Sequence, residues 1–250
     1  MARVETSDAM RARQLVSYTS FRTYHLESHG LLSKKAEMIV RADYHRPNKK
    51  EFTILSESGS GGVRNRVFRR LLNTELESMD SEARQQTAIT RENYRFELES
   101  YNRTEGDSHY ILSVQPKRQS QLLFVGRIWV DADDFVVTRI EGEPAVNPSW
   151  WTRKTEFRRM YKRVGQVWLP ESNYSVTKVR IFGTAVLTIT YSDYRIAESP
   201  DAATASGSVS ASGKRTTCSL SSNSQHSERT GIHPSGVSPL APAASHMPER

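Results

Sequence analysis

Arg127-Ile128-Trp129-Val130-Asp131 leads through an acidic stretch at Asp133 and Asp134 into Phe135-Val136-Val137-Thr138-Arg139-Ile140-Glu141. β-Branched and aromatic residues crowd both arms and polar residues suited to a tight turn separate them, so the stretch predicts a β-hairpin. Gly165-Gln166-Val167-Trp168-Leu169-Pro170 repeats the theme, a turn followed by a strand that carries a tryptophan. No candidate nucleophile or metal cluster stands between the two ribbons. Together they predict a sheet built to hold something apolar.

Working outward, the same signals recur on both sides. Ser7 or Asp8 can cap a short helix running to Leu15, followed by an extended run from Tyr18 to Ser28 with Phe21, Tyr24 and Leu26, and a turn on Ser28, His29 and Gly30. Ala36, Met38, Val40, Ala42 and Tyr44 alternate with charged residues, which gives a strand with one apolar and one wet face, only Ile39 being out of step. Pro47 and Asn48 end it, Glu51 to Ser56 forms the next strand, and Ser58-Gly59-Ser60-Gly61-Gly62 reads as a flexible connection. From Arg64 to about Thr87, Val67, Phe68, Leu71, Leu72, Leu76 and Met79 recur at helical spacing, predicting one amphipathic helix that covers the sheet.

Beyond the helix the strands resume. Tyr94, Phe96 and Leu98 pair with Tyr110, Leu112 and Val114 across a turn at Glu105-Gly106-Asp107. Leu122 to Asp131 with Phe135 to Glu141, Thr152 to Arg163 with Val167 to Pro170, and Asn173 to Phe182 with Thr184 to Tyr194 supply three more hairpins. Roughly ten consecutive strands with short connections mean an antiparallel meander, because parallel pairing needs long crossovers. The predicted class is mainly β with helices (α+β): a curled antiparallel sheet, or incomplete β-barrel, covered by a helix.

Composition bounds what such a sheet can do. In 250 residues, 36% apolar content and a mean hydropathy of −0.62 are lean for one continuous core, so part of the chain is expected to be unfolded. From Ser199 onward Ser, Ala, Thr, Gly and Pro dominate and no Phe, Trp or Tyr occurs. Residues 1–198 are therefore read as the binding domain and 199–250 as a disordered low-complexity tail. A single cysteine, Cys218, excludes an internal disulfide and any multi-cysteine metal site. Lys and Arg number 35 against 28 Asp and Glu, a net charge of +7 that suits an anionic partner such as nucleic acid, an anionic membrane surface or an acidic protein. No run approaches the ~20 apolar residues of a membrane-spanning helix.

Chemistry-bearing motifs are sparse. The glycine run lacks the Gly-Lys-Ser/Thr ending of a phosphate loop. Asp131, Asp133 and Asp134 fit a polar hairpin turn, and His25, His29, His45 and His109 are scattered, so no catalytic residue, cofactor or metal is expected.

The early helix leading into Tyr18-Thr19-Ser20-Phe21-Arg22-Thr23-Tyr24, the Gly126-Arg127-Ile128-Trp129-Val130-Asp131 strand with its partner ending Thr138-Arg139-Ile140-Glu141, and Gly165-Gln166-Val167-Trp168-Leu169-Pro170 resemble the LolA-like superfamily of outer-membrane lipoprotein-sorting and carrier proteins. The resemblance spans about residues 4–196. It implies an incomplete β-barrel closed by helices, whose apolar interior receives the acyl chains of a lipoprotein or another lipid without catalysis. It implies a periplasmic location too, and since no export signal precedes residue 7, the true start is expected upstream of the printed one.

Under that implication the inward positions Met38, Val40, Phe52, Ile54, Phe68, Leu72, Phe96, Leu98, Leu112, Ile128, Val130, Leu187 and Ile189 are the candidate lipid-binding residues, each of which also suits ordinary core packing. Trp129 and Trp168 suit either the mouth of the cavity or packing between strands. A monomer with lipid or lipoprotein acyl chains as its partner is expected. Two other functions stay open. Arg153, Lys154, Arg158, Arg159, Lys162 and Arg163, interleaved with Trp151, Phe157 and Tyr161, resemble a basic ribbon for single-stranded nucleic acid, although strand alternation splits them between two faces and they could equally meet anionic lipid headgroups. A sensor or signalling domain with the same fold is the other.

Overall fold

The computed structural model describes residues 1–30, 33–104, 107–147, 149–150, 152–180 and 183–198. The expectation for the tail, with Cys218 in it, and the turn residues Glu105 and Gly106 lie outside the described residues.

Within them ten strands form one antiparallel sheet: β1 (Leu15–His29), β2 (Lys34–His45), β3 (Lys49–Gly59), β4 (Tyr94–Thr104), β5 (Asp107–Pro116), β6 (Phe124–Asp131), β7 (Val137–Pro144), β8 (Thr152–Val164), β9 (Val167–Val179) and β10 (Gly183–Glu198). Their order is β3-β2-β1-β10-β9-β8-β7-β6-β5-β4, so the sheet is open, with β3 and β4 as its edges. β1 pairs with β10 from Leu15↔Glu198 to His29↔Thr184. The chain therefore runs out to one edge through β3, crosses to the opposite edge, and meanders back until its last strand meets its first.

Helices occupy that crossing. α2 (Gly61–Val63), a π-helical turn (Arg64–Phe68) and α3 (Arg69–Glu77) run on from one another, and α4 (Ser81–Thr87) follows. The sequence predicts one helix here; the structure breaks it after Glu77. Asp80 is the cause, since its side chain accepts a hydrogen bond from Glu82 N at 2.9 Å and caps α4 as a new start. α1 (Ala2–Gln14) likewise starts earlier than its predicted cap, and Leu15 already belongs to β1.

Two further departures have local reasons. The glycine run is no flexible connection: Gly59 ends β3 at φ +77°, where a Cβ would stand 2.2 Å from the Lys35 carbonyl oxygen, and Gly61 opens α2. The segments expected as two strands at Val167–Pro170 and from Asn173 onward are the single strand β9. Pro170 is tolerated because it sits at a bulge, where the register steps from Tyr161↔Pro170 to Met160↔Ser172, and β10 pairs with β9 only over 172–179.

Directly paired residues share a face of the sheet, and one row can be followed across nine strands. It reads Met38, Tyr24, Ile189, Asn173, Arg159, Ile140, Ile128, Leu112, Leu98. Both ends are apolar and the middle is polar. Accordingly the core forms two clusters. One packs Tyr24, Met38, Val40, Ile189 and Tyr191 against Phe68, Leu71 and Leu72 of the helical crossing. The other gathers Val114, Phe124, Ile128, Val130, Val137, Ile140 and Phe157 with Val4 from α1. Arg159 and Asn173 sit between them.

No helix among the described residues is long and apolar enough to cross a membrane.

Candidate functional site

At that polar gap lies a cavity of about 260 Å³ between the sheet and the helical crossing. β1 contributes Leu15, Tyr18 and Arg22; β3 contributes Lys50; α3 contributes Glu75; the α3–α4 turn contributes Met79. The far wall comes from Arg159, Met160 and Tyr161 of β8, Trp168, Leu169 and Asn173 of β9 and Tyr191 of β10. The walls are chiefly aliphatic and aromatic, and the charges lie deep.

Alternation along each element places those charges. Ser20, Arg22, Tyr24 and Leu26 are buried on β1 while the residues between them are half-buried, so Arg22 projects inward in phase with the core. Glu75 stands one and two helical repeats beyond Leu71 and Phe68, on the buried stripe of α3. Arg159 follows Phe157 on the buried phase of β8. These three residues are only 2%, 7% and 7% exposed.

Three of the deep charges form a triad. Glu75 Oε2 accepts from Arg22 Nη1 at 2.6 Å, and Glu75 Oε1 accepts from Lys50 Nζ. Burial alone would raise the Glu75 pKa, but Arg22 and Lys50 override it and hold the carboxyl at about 2. Lys50 is likewise burdened by burial yet kept above its ordinary value by Glu75. The guanidinium of Arg22 also lies 5.1 Å from the Phe52 ring and 4.9 Å from the Tyr191 ring.

Tyrosines complete the surroundings. Tyr18 stacks on Tyr44 at 5.2 Å and meets Tyr194 edge-on at 5.7 Å. Tyr194 donates to the Pro170 carbonyl at 2.8 Å. Burial pushes the Tyr191 and Tyr161 phenols up, so both stay protonated.

None of the predicted lipid-binding residues borders this cavity. Met38, Val40, Phe68, Leu72 and Ile189 are buried in the first cluster, and Phe52, Ile54 and Leu187 pack against it. Ile128 and Val130 are buried in the second cluster, with Phe96 and Leu112 against it. Leu98, near the β4 edge, is 62% exposed. Of the two tryptophans, Trp168 lines the cavity and donates to Asp134 Oδ2 at 2.9 Å, whereas Arg139 lies 4.3 Å from the Trp129 ring.

The sequence reading missed Arg22, Lys50 and Glu75 and took Arg159 for part of a surface ribbon. A signal was present. Arg22, Glu75 and Arg159 are charges in phase with apolar positions of an amphipathic element, where an unpaired charge would be too costly to keep.

The basic ribbon itself is divided by the pleat. Arg159 turns inward, while Arg158 pairs with Glu141 at 2.5 Å and Lys154 with Glu156 at 2.8 Å outside. The wide groove on that outer side, about 620 Å³, also holds Arg127, which Glu99 engages at 2.6 Å. The acidic turn after β6 is held from within by Asp131, whose Oδ1 accepts from Asp133 N at 3.0 Å and Asp134 N at 2.7 Å.

Over residues 21–197 the chain matches the model of a family of unknown function, DUF5686. The chain belongs to that family. No curated protein matches this DUF5686 chain. Among solved structures it is similar to a domain assigned by name to outer-membrane lipoprotein sorting from Vibrio parahaemolyticus, at 11% identity and a TM-score of 0.39, covering 77% of this chain and 90% of that one. It is also similar to a DUF1329 family protein from Desulfovibrio piger, at 12% identity and a TM-score of 0.38, covering 78% and 92%. A LolA superfamily protein from Nitrosomonas europaea matches at 13% identity and a TM-score of 0.33, covering 80% and 94%.

Proposed function

We propose that this DUF5686 chain is a non-catalytic binding or carrier protein that holds an amphiphile, such as an acyl chain of a lipid or lipoprotein, between its sheet and its helical crossing, and that it acts in the periplasm. The observation that carries the proposal is the cavity of about 260 Å³ with aliphatic and aromatic walls contributed by strands from both sides of the β1–β10 pairing and by the helices. Ligand pockets are concave and mostly apolar with a few placed polar groups, commonly ~300–1,000 Å³, so this one suits a single chain rather than a bulky cargo. Each methylene it buries contributes about 0.8 kcal/mol.

The polar groups support binding over reaction. Glu75, a carboxylate held at about 2, is a poor general base at neutral pH, and the neighbouring phenols are pushed away from neutrality. The sequence resemblance to lipoprotein carriers points the same way and supports the periplasmic location.

Purified protein is extracted with organic solvent and compared with intact protein by native mass spectrometry. A co-purifying lipid that is lost in Met160→Glu and Met79→Glu supports the proposal. Protein that neither carries lipid nor takes one up from vesicles overturns it.

A further inference from the structure

We propose that the polar end of the ligand is an anion, a carboxylate or a phosphate, seated in the cavity between Arg22 and Arg159. The inference rests on the amphiphile-binding reading above and specifies the chemistry of the same site.

Charge balance is the first argument. The cavity holds Arg22 and Lys50 at depth, and Glu75 is the one carboxylate among its described lining residues. Both Glu75 oxygens are already engaged, one by Arg22 and one by Lys50. Arg22 and Lys50 thus share a single negative charge in a region shielded from water, where an uncompensated charge is expensive. A carboxylate or phosphate arriving with the ligand lowers that cost; a neutral or cationic end does not.

Donor geometry is the second, independent argument. Arg22 is 2% exposed, and its buried Nε–H meets no hydrogen-bond acceptor among the described residues. A guanidinium offers five N–H donors in a planar fork that matches carboxylate and phosphate oxygens. Arg22 lies over two aromatic rings, which fix its plane without using those donors. Arg159 lines the same cavity from β8, in the row that meets β1 at Tyr24, two residues from Arg22, with Asn173 as its direct partner on β9 and a further donor in the lining. An anion between the two arginines leaves the apolar tail against Met160, Leu169 and Met79.

Titration calorimetry of the full chain with decanoate, decyl phosphate, decanol and decyltrimethylammonium, each below its micellar concentration, tests the inference. At least one of the two anions is expected to bind about tenfold or more tighter than decanol, with the cationic amphiphile weakest. Whichever anion binds tighter identifies the source as fatty acid or phosphate. Arg159→Met is expected to erase the preference and Arg159→Lys to restore part of it. Because the headgroup series is run on the unaltered chain, it decides even where a variant does not fold. Decanol binding as tightly as the anions overturns the anion site and leaves the carrier reading intact. Binding by none of the four overturns both.

Discussion

Glu75 of α3 accepts a hydrogen bond from Arg22 of β1 at 2.6 Å across 53 residues of sequence, and both side chains are buried. Lys50 of β3 reaches the other oxygen of the same carboxylate, so one side chain of the helical crossing is tied to two strands. Removing the carboxylate leaves two buried cations facing each other. Glu75→Gln is expected to destabilise the fold by roughly 3 kcal/mol or more, read as a lower urea midpoint at pH 7. Replacing all three residues by apolar ones of similar size (Arg22→Met, Lys50→Met, Glu75→Leu) is expected to recover most of the loss. Equal stability of Glu75→Gln and the parent chain would show that the triad contributes nothing.

The same carboxylate sets a pH dependence. Its folded pKa of about 2 lies below the ordinary 4.5, so the folded state favours the ionised form. That contribution is fully present above about pH 5, declines as pH falls below 4.5, and is gone by about pH 2. Stability measured from pH 6 down to pH 2 is expected to fall more steeply for the parent chain than for Glu75→Gln. Parallel curves would assign acid sensitivity to other carboxylates.

Gly126 lies on the β6 arm of the hairpin that predicts the fold. A Cβ there would lie 2.0 Å from the Glu141 carbonyl oxygen and 2.6 Å from the Gly142 Cα. Since the obstacle is backbone, Gly126→Ala must separate β6 from β7 locally and is expected to cost about 1–3 kcal/mol. Thermal unfolding measures it, and a melting temperature unchanged from the parent chain would contradict the close approach.

Two outward-facing cations of β8 are matched by carboxylates, Arg158 by Glu141 of β7 and Lys154 by Glu143 of β7 and by Glu156 of its own strand. Oligonucleotide binding is therefore expected to be weak at 0.15 M salt, with a shallow salt dependence. A steep decline of affinity with salt, reporting several phosphate contacts, would instead favour the nucleic-acid reading.

Much of the architecture was legible in the residues because strand alternation is a strong local signal. Ala36, Met38, Val40 and Ala42 are buried on one face of β2 as their spacing predicts. The Arg127–Glu141 hairpin forms with its acidic turn held by Asp131. Boundaries fared worse where one side chain outweighs periodicity: Met79 continues the helical spacing, yet Asp80 starts a new helix. The cavity was hardest to foresee. Its floor is made by Arg22, Lys50, Glu75 and Arg159, which come from four separate elements and meet only through tertiary pairing. The apolar residues taken as its lining had each other to pack against. A charge on an apolar phase, at Arg22 and Arg159, was the mark that periodicity counts treat as noise.

The pairing of β1 with β10 has a kinetic consequence. Residues 15–29 can form a sheet with β2 and β3 early, but their other side stays an unpaired edge until the last strand arrives, some 170 residues later in the chain. So many contacts between sequence-distant residues place the chain among slow folders, since the loop-closure entropy must be met before those contacts form. During synthesis the waiting edge of β1 is a template for any other extended strand. Its inner face carries Arg22, a charge that discourages a stray partner and is accepted once Glu75 arrives to meet it.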